Sequence, residues 1–183
     1  PYTTLFRSGK TEELMRRITR AKIANQDVLV FKPSIDKRYS DEEVTTHDGR
    51  TVESRVVKSP VQIRRSFMEK ENVDLVAIDE VQFFEGEGIV ELISDLANEG
   101  KRVIVTGLDM DYRGEPFGVM RELLCIAERV DKLTAICNDC YSPATMTQRL
   151  IDGKPAKYSE PTVLVGADEY YEARCRECHE VRR

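Results

Sequence analysis

The sequence predicts an α/β fold, a mainly parallel sheet flanked by helices with a small cysteine-bearing unit near the C-terminus. Three observations carry this expectation. Short apolar runs alternate with amphipathic helical patterns, as in βαβ units. Ser8-Gly9-Lys10-Thr11 opens the first helical pattern, where a phosphate-binding loop would end. Near Cys137 the pattern changes, and turns, short strands and paired cysteines replace helices.

The first helix is expected over 11–24. Leu14, Ile18 and Ala21 share one face, and Glu12 and Glu13 suit the positive end of the helix dipole. A buried strand follows at 28–31. Pro33 should open a polar loop to residue 50, with a turn at Asp48-Gly49, and 51–57 is rich enough in β-branched residues for a strand. The helix expected at 61–70 offers Val61, Phe67 and Met68 for packing. Leu75 to Ile78 is uncharged and apolar, the pattern of a strand covered on both faces, and it ends in Asp79-Glu80. A helix over 89–99 has Ile89, Ile93, Leu96 and Ala97 on one stripe, with Gly100 as its stop. A buried strand at 103–106, a loop at 108–114, a helix at 118–128 and a strand at 132–136 complete the pattern. Cys125 falls on the apolar face of its helix and reads as core. The domain boundary is expected between 132 and 133.

Composition narrows the function classes. The 183 residues suit one ordinary domain with a small appendage, and 40% hydrophobic content can furnish a core. No apolar run approaches the roughly 18 residues that span a bilayer. A formal net charge of −5 argues against a general nucleic-acid binder. The terminal Arg174, Arg176, Arg182 and Arg183 are interleaved with acids and read as a solvated face. With no signal-peptide pattern, a cytoplasmic protein without membrane or nucleic-acid partners is expected.

Several groups of residues point to chemistry. Ligands of open α/β sheets bind outside the carboxyl ends of the strands, which is where Asp79 and Glu80 should emerge. Adjacent acids on extended backbone point apart, so one can serve a metal and the other a proton; a solvated strand end is the plainer reading. Gly9, Lys10 and Thr11 fit the end of G-x-x-x-x-G-K-[ST], although Thr4 stands where the leading Gly belongs. A capped helix start would look the same. Four of the five cysteines form Cys137-x-x-Cys140 and Cys175-x-x-Cys178, which match tetrahedral Zn²⁺, with iron–sulfur and redox pairs as alternatives. His179 is a less regular fourth ligand than Cys178. Phe83, Phe84, Tyr112 and Phe117 can sandwich a base or fill core.

Ser8 to Thr11, Asp36-Lys37-Arg38-Tyr39, Thr46-His47-Asp48-Gly49, Asp79-Glu80-Val81-Gln82-Phe83-Phe84, Leu108-Asp109, Pro116-Phe117-Gly118 and the two cysteine pairs occur in this order. The set resembles the zinc-containing, cellular-type thymidine kinases, from Ser8 to the end. The resemblance implies a P-loop (RecA-like) kinase domain and a small C-terminal zinc-ribbon lasso domain. It implies ATP-dependent phosphorylation of the thymidine 5′-hydroxyl to dTMP, with deoxyuridine as a second substrate. It assigns Glu80 as general base and Ser8, Gly9, Lys10, Thr11, Arg38, Asp79 and Gln82 to ATP and Mg²⁺. Phe83, Leu108, Tyr112, Phe117, Thr147 and Tyr171 would surround thymidine, with Tyr170 one register away from the lasso tyrosine. Cys137, Cys140, Cys175 and Cys178 would hold structural Zn²⁺. A homotetramer and feedback inhibition by dTTP also follow from the resemblance. The rival class is a zinc-bearing P-loop ATPase or nucleic-acid-binding module, and a third reading is a zinc-folded pseudoenzyme.

The opening Pro-Tyr-Thr-Thr-Leu-Phe-Arg-Ser resembles a translated sequencing-adapter end, so residues 1–7 are expected to be foreign to a truncated gene. On that expectation the strand ahead of the loop is missing and catalysis by this chain is impaired. Restoring the upstream codons and assaying thymidine phosphorylation tests it.

Overall fold

The computed structural model describes residues 8–34, 43–45, 51–84, 88–163 and 169–183. Residues 1–7, Arg38 with the rest of 36–39, and the expected Asp48-Gly49 turn lie outside them. In chain order the elements are α1 (Lys10–Ile23), β1 (Val28–Pro33), β2 (Glu43–Thr45), β3 (Thr51–Glu53), β4 (Arg55–Val57), α2 (Pro60–Met68), β5 (Leu75–Ile78), α3 (Ile89–Asn98), β6 (Arg102–Val105) and α4 (Met120–Ile126). Then come β7 (Ala135–Ile136), β8 (Pro143–Ala144), β9 (Met146–Ile151), β10 (Lys154–Pro155) and β11 (Glu169–Arg174). The chain divides into two compact units. The first comprises Thr11–Leu108 and Gly118–Glu128; the second includes Asp109–Phe117 and Arg129–Arg183.

The first unit is built on a four-stranded sheet in the order β4-β1-β5-β6, every neighbouring pair parallel. Because side chains alternate across a strand, β1 and β5 serve two cores at once. Leu29, Phe31, Val76 and Ile78 join Ile63 of α2, Leu92 and Leu96 of α3, and Leu123 of α4 on one face. Val30, Leu75 and Ala77 meet Leu14, Met15, Ile18 and Ala21 of α1 on the other. This double burial is why the β5 run carries no polar residue. The expected mainly parallel sheet with flanking helices is what the chain forms.

Several details differ from expectation. β1 runs on to Pro33, which pairs with Val57 at the strand end. The 51–57 stretch is two strands: β3 closes a hairpin with β2, and β4 joins the main sheet. In α2, Val61 and Met68 are 74% and 76% exposed while Ile63 is fully buried and Phe67 packs partly against the core. Positions 63 and 67 lie one turn apart and define the inward face; 61 and 68 share the opposite one. Leu92 replaces Ala97 on the inward stripe of α3. β6 ends at Val105 and is only half-buried, being the outer strand of the four. α4 is shorter than 118–128, and Cys125 is exposed rather than core; the apolar side that packs belongs to Met120 and Leu123. Only 135–136 of the expected 132–136 strand pairs.

The second unit has a β10-β9-β11 sheet and a β7-β8 hairpin, all antiparallel. Its apolar cluster is Ala135, Cys137, Ala144, Ala173 and Cys175, with Cys178 packed against it. Such a cluster is small for a self-sufficient core. No described helix is long and apolar enough to cross a membrane.

Candidate active site and metal centre

At the carboxyl end of β5 the backbone stops being extended. Glu80 adopts φ 50°, ψ 44°, a left-handed conformation that its Cβ disfavours by about 1–2 kcal/mol. Such strain persists where surrounding contacts over-determine it. Here a 3-10 turn, Val81–Phe83, begins at once, closed by the amides of Phe83 and Phe84 donating to the carbonyls of Glu80 and Val81. The Val81 amide donates to the Thr106 carbonyl at 2.9 Å, pinning the turn to the end of β6.

The reversal buries both acids: Asp79 is 7% and Glu80 4% exposed. Asp79 Oδ1 accepts from the Glu80 amide at 3.0 Å and from the Thr106 hydroxyl. Glu80 Oε2 accepts from Gln82 Nε2 at 2.5 Å. Gln82 Oε1 accepts the Leu108 amide at 3.2 Å. Asp79, Glu80, Gln82 and Leu108, all expected site residues, therefore form one network, and Phe83 sits half-buried in the same turn. A solvated strand end is not what the chain builds. Thr106 escaped the sequence reading; its position directly after the apolar run of β6, at the carboxyl edge, was the available signal.

At the start of α1, Gly9 takes φ +79° and Lys10 Nζ donates to Ser8 Oγ at 3.3 Å. Thr11 follows, half-buried, in the first helical turn. A glycine in the left-handed region ahead of a helix N-terminus leaves backbone N–H groups able to meet an anion.

The remaining expected substrate residues belong to the second unit. Tyr112 and Thr147 are 3% and 4% exposed, and Phe117 and Tyr171 are half-buried. The Tyr112 hydroxyl lies 2.7 Å from the Glu160 carbonyl and 3.0 Å from that of Lys157. Arg113 Nη2 reaches the same Glu160 carbonyl at 2.6 Å. Arg149, fully buried, stacks its guanidinium 5.1 Å from the Tyr112 ring centre and donates to the Pro161 carbonyl at 2.6 Å. Tyr171 pairs with Arg149 across β9 and β11, Tyr170 with Leu150. His179 Nε2 lies 2.9 Å from the Tyr112 carbonyl and 3.1 Å from that of Thr147, which gives it a role away from the cysteine cluster. Arg149 was missed; an arginine inside a strand whose neighbours are Met146 and Leu150 was the clue.

Cys137, Cys140, Cys175 and Cys178 bring their sulfurs within 4.8 Å of one another. Tetrahedral zinc with Zn–S of about 2.3 Å spaces its sulfurs roughly 3.8 Å apart, so the donor set fits. Backbone bonds shape the first knuckle: the Tyr141 amide donates to the Cys137 carbonyl, and the Cys137 amide to that of Ser142. Burial pushes the Cys137 thiol up, but N–H groups of Cys140, Cys175 and Asp139 outweigh it and bring its pKa down to about 6. The Ser142 hydroxyl and amide hold Cys140 down, whereas sharing its proton with Cys175 and Cys140 pushes Cys178 up. Four clustered sulfurs sharing protons form a site in which a soft cation can take the protons' place.

The order of these features along the chain agrees with one known family. Residues 2–179 match the family model described as thymidine kinase. That match spans nearly the whole sequence, and with it the buried Asp79-Glu80 pair and the four-cysteine cluster acquire a common setting: the chain belongs to the thymidine kinase family, whose members are kinases acting on thymidine with ATP.

Proposed function

We propose that the chain transfers the terminal phosphoryl group of ATP to the 5′-hydroxyl of thymidine, giving dTMP and ADP, with deoxyuridine as a second substrate. The observation that carries this reading is Glu80: an ionisable side chain, 4% exposed, held in a left-handed backbone at the mouth of a parallel sheet. A 5′-hydroxyl is a poor nucleophile at neutral pH, and a carboxylate within hydrogen-bond reach accepts its proton as the bond to phosphorus forms. Glu80 fills that role. Ser8, Gly9 and Lys10 receive the phosphates of ATP, with the Lys10 ammonium facing the transferred group, and Arg38 assists in ordering them. Thr11 and Asp79 offer the hard oxygen donors that suit Mg²⁺, which when bound offsets charge on the phosphates.

On the family pattern, Phe83, Leu108, Tyr112, Phe117, Thr147 and Tyr171 are the residues assigned to the thymine base and sugar. In that role they align the hydroxyl and keep competing water away. Residues 133–183 act as a zinc-stiffened lasso domain, the metal fixing structure and taking no part in transfer. Homotetramer assembly and inhibition by dTTP belong to the same reading.

Glu80→Gln keeps the shape and loses the base. It should bind thymidine and ATP while kcat drops by about 10²–10⁴-fold. Rapid-quench measurement of dTMP formation, with thymidine affinity from calorimetry, checks this; near-normal turnover would remove Glu80 from the role. Thymidine-dependent release of ADP separates the kinase from an ATPase stimulated by nucleic acid.

A further inference from the structure

We propose that Gln82 is a positioning residue that locks the Glu80 carboxylate in its working orientation and ties it to the backbone at Leu108. The inference rests on Glu80 being the base. Gln82 is 3% exposed, and both ends of its amide are engaged: Nε2 donates to Glu80 Oε2 at 2.5 Å, and Oε1 accepts from the Leu108 amide at 3.2 Å. The orientation of this amide is chemically fixed. A backbone N–H only donates, so the oxygen must face Leu108 and the NH₂ must face the carboxylate.

The surroundings are cut to the amide. A Cβ on Gly107 would sit 2.6 Å from Gln82 Oε1, 2.9 Å from Met120 Sδ and 3.3 Å from Val81 Cγ1. A Cβ on Gly118, where φ is +51°, would sit 2.7 Å from the Gln82 carbonyl oxygen. Two glycines thus leave room for the Gln82 side chain and backbone, one at each edge of the 109–117 excursion. Glu80 itself has a left-handed backbone that does not fix its side chain, so the carboxylate takes its direction from the donor two residues on. Gln82 touches no reacting atom in this scheme. It acts through Glu80 and holds the Leu108 amide at the same time.

Gln82→Met keeps the length of the side chain and removes both bonds. Gln82→Glu keeps an acceptor for Leu108 but sets a carboxylate against Glu80. Both should lower kcat by about a hundredfold, the scale of a misplacement near 1 Å. Thymidine affinity by calorimetry should stay close to that of the parent chain. In the Glu80→Gln background, Gln82→Met should cause no further loss of kcat, because the group it positions is gone.

Multiplicative loss in the double variant, or a fall in thymidine affinity that accounts for the lost rate, would overturn the proposal. If Glu80→Gln is inactive while Gln82→Met turns over normally, only this inference fails. An active Glu80→Gln removes the base reading itself. Should Gln82→Met not accumulate as folded protein, Gly107→Ala interrogates the same bridge with every polar group retained, and the same hundredfold loss in kcat at unchanged thymidine affinity is expected. Full activity in Gly107→Ala would count against the proposal.

Discussion

The two units of this chain solve the problem of an interior in different ways. In the first, β5 and most of β1 bury apolar side chains between helices on both faces, and Lys32 near the end of β1 is buried as well. In the second, polar side chains take a large share of the interior: Arg149 is fully buried, and Thr147, Gln148, Asp111 and Tyr112 are each at most 5% exposed, alongside the apolar Met146. Several of their polar atoms meet backbone carbonyls and amides, as when Gln148 pairs with both the carbonyl and the amide of Glu180, and Asp111 caps its own turn through the amides of Arg113 and Glu115. Apolar burial is forgiving of small movements, whereas a satisfied polar interior depends on each partner being in place. The four-cysteine cluster, which could hold a metal, lies within the small apolar cluster of the second unit.

Three experiments press on this contrast. Metal removal should have the largest effect, since structural zinc sites contribute on the order of 10 kcal/mol to folding of their own segment. Chelation followed by hydrogen exchange should strip protection from β9 and β11 and leave β1 and β5 protected; equal loss in both would mean the units do not differ in this way. Next, Ile78→Ala removes a fully buried side chain from the sheet core and should cost about 2–5 kcal/mol in denaturant unfolding. Metal content should be unchanged, and its loss in this variant would erase the distinction from the other side.

The smallest effect lies on the surface of α1. The guanidinium groups of Arg16 and then Arg17 hold the Glu13 carboxyl down to about 2. A carboxylate whose pKa falls on folding adds stability that is full above its unfolded pKa, near 4.5, and fades as pH drops towards 2. Glu13 is partly exposed, so the worth is about half a kcal/mol, the scale of i,i+4 helical pairs. Glu13→Gln should therefore reduce the unfolding free energy slightly at pH 6 and not at pH 2. An equal difference at both pH values would dissociate the ion pairs from the effect.

What could be read in advance follows the same division. Period and apolar runs located β1, β5, α1 and α3 closely, because burial on two faces leaves a strong imprint on sequence. The phase of α2 was misread: Val61 and Met68 are hydrophobic yet outward, and hydrophobicity alone does not say which of two stripes meets the sheet. Cys125 failed for the same reason. The paired cysteines announced their cluster by spacing. The Tyr112–Arg149 arrangement left only an arginine inside a strand as its trace, since it joins side chains to carbonyls far away in sequence, and a carbonyl belongs to every residue. Asp79 and Glu80 were visible as acids after an apolar run, but the left-handed turn at Glu80 was not, because nothing in a glutamate advertises that conformation.

The way Gln82 reaches the two feet of the 109–117 excursion bears on the order of folding. Its side chain holds the Leu108 amide, and its backbone carbonyl lies against Gly118. Both feet therefore meet the one turn that follows β5. Closing a loop of about ten residues between fixed feet takes only tens of nanoseconds. In the exchange experiment after chelation the Leu108 amide should therefore follow β5 rather than β9. Its body belongs to the unit that carries the cysteine cluster, but its ends keep the sheet's time.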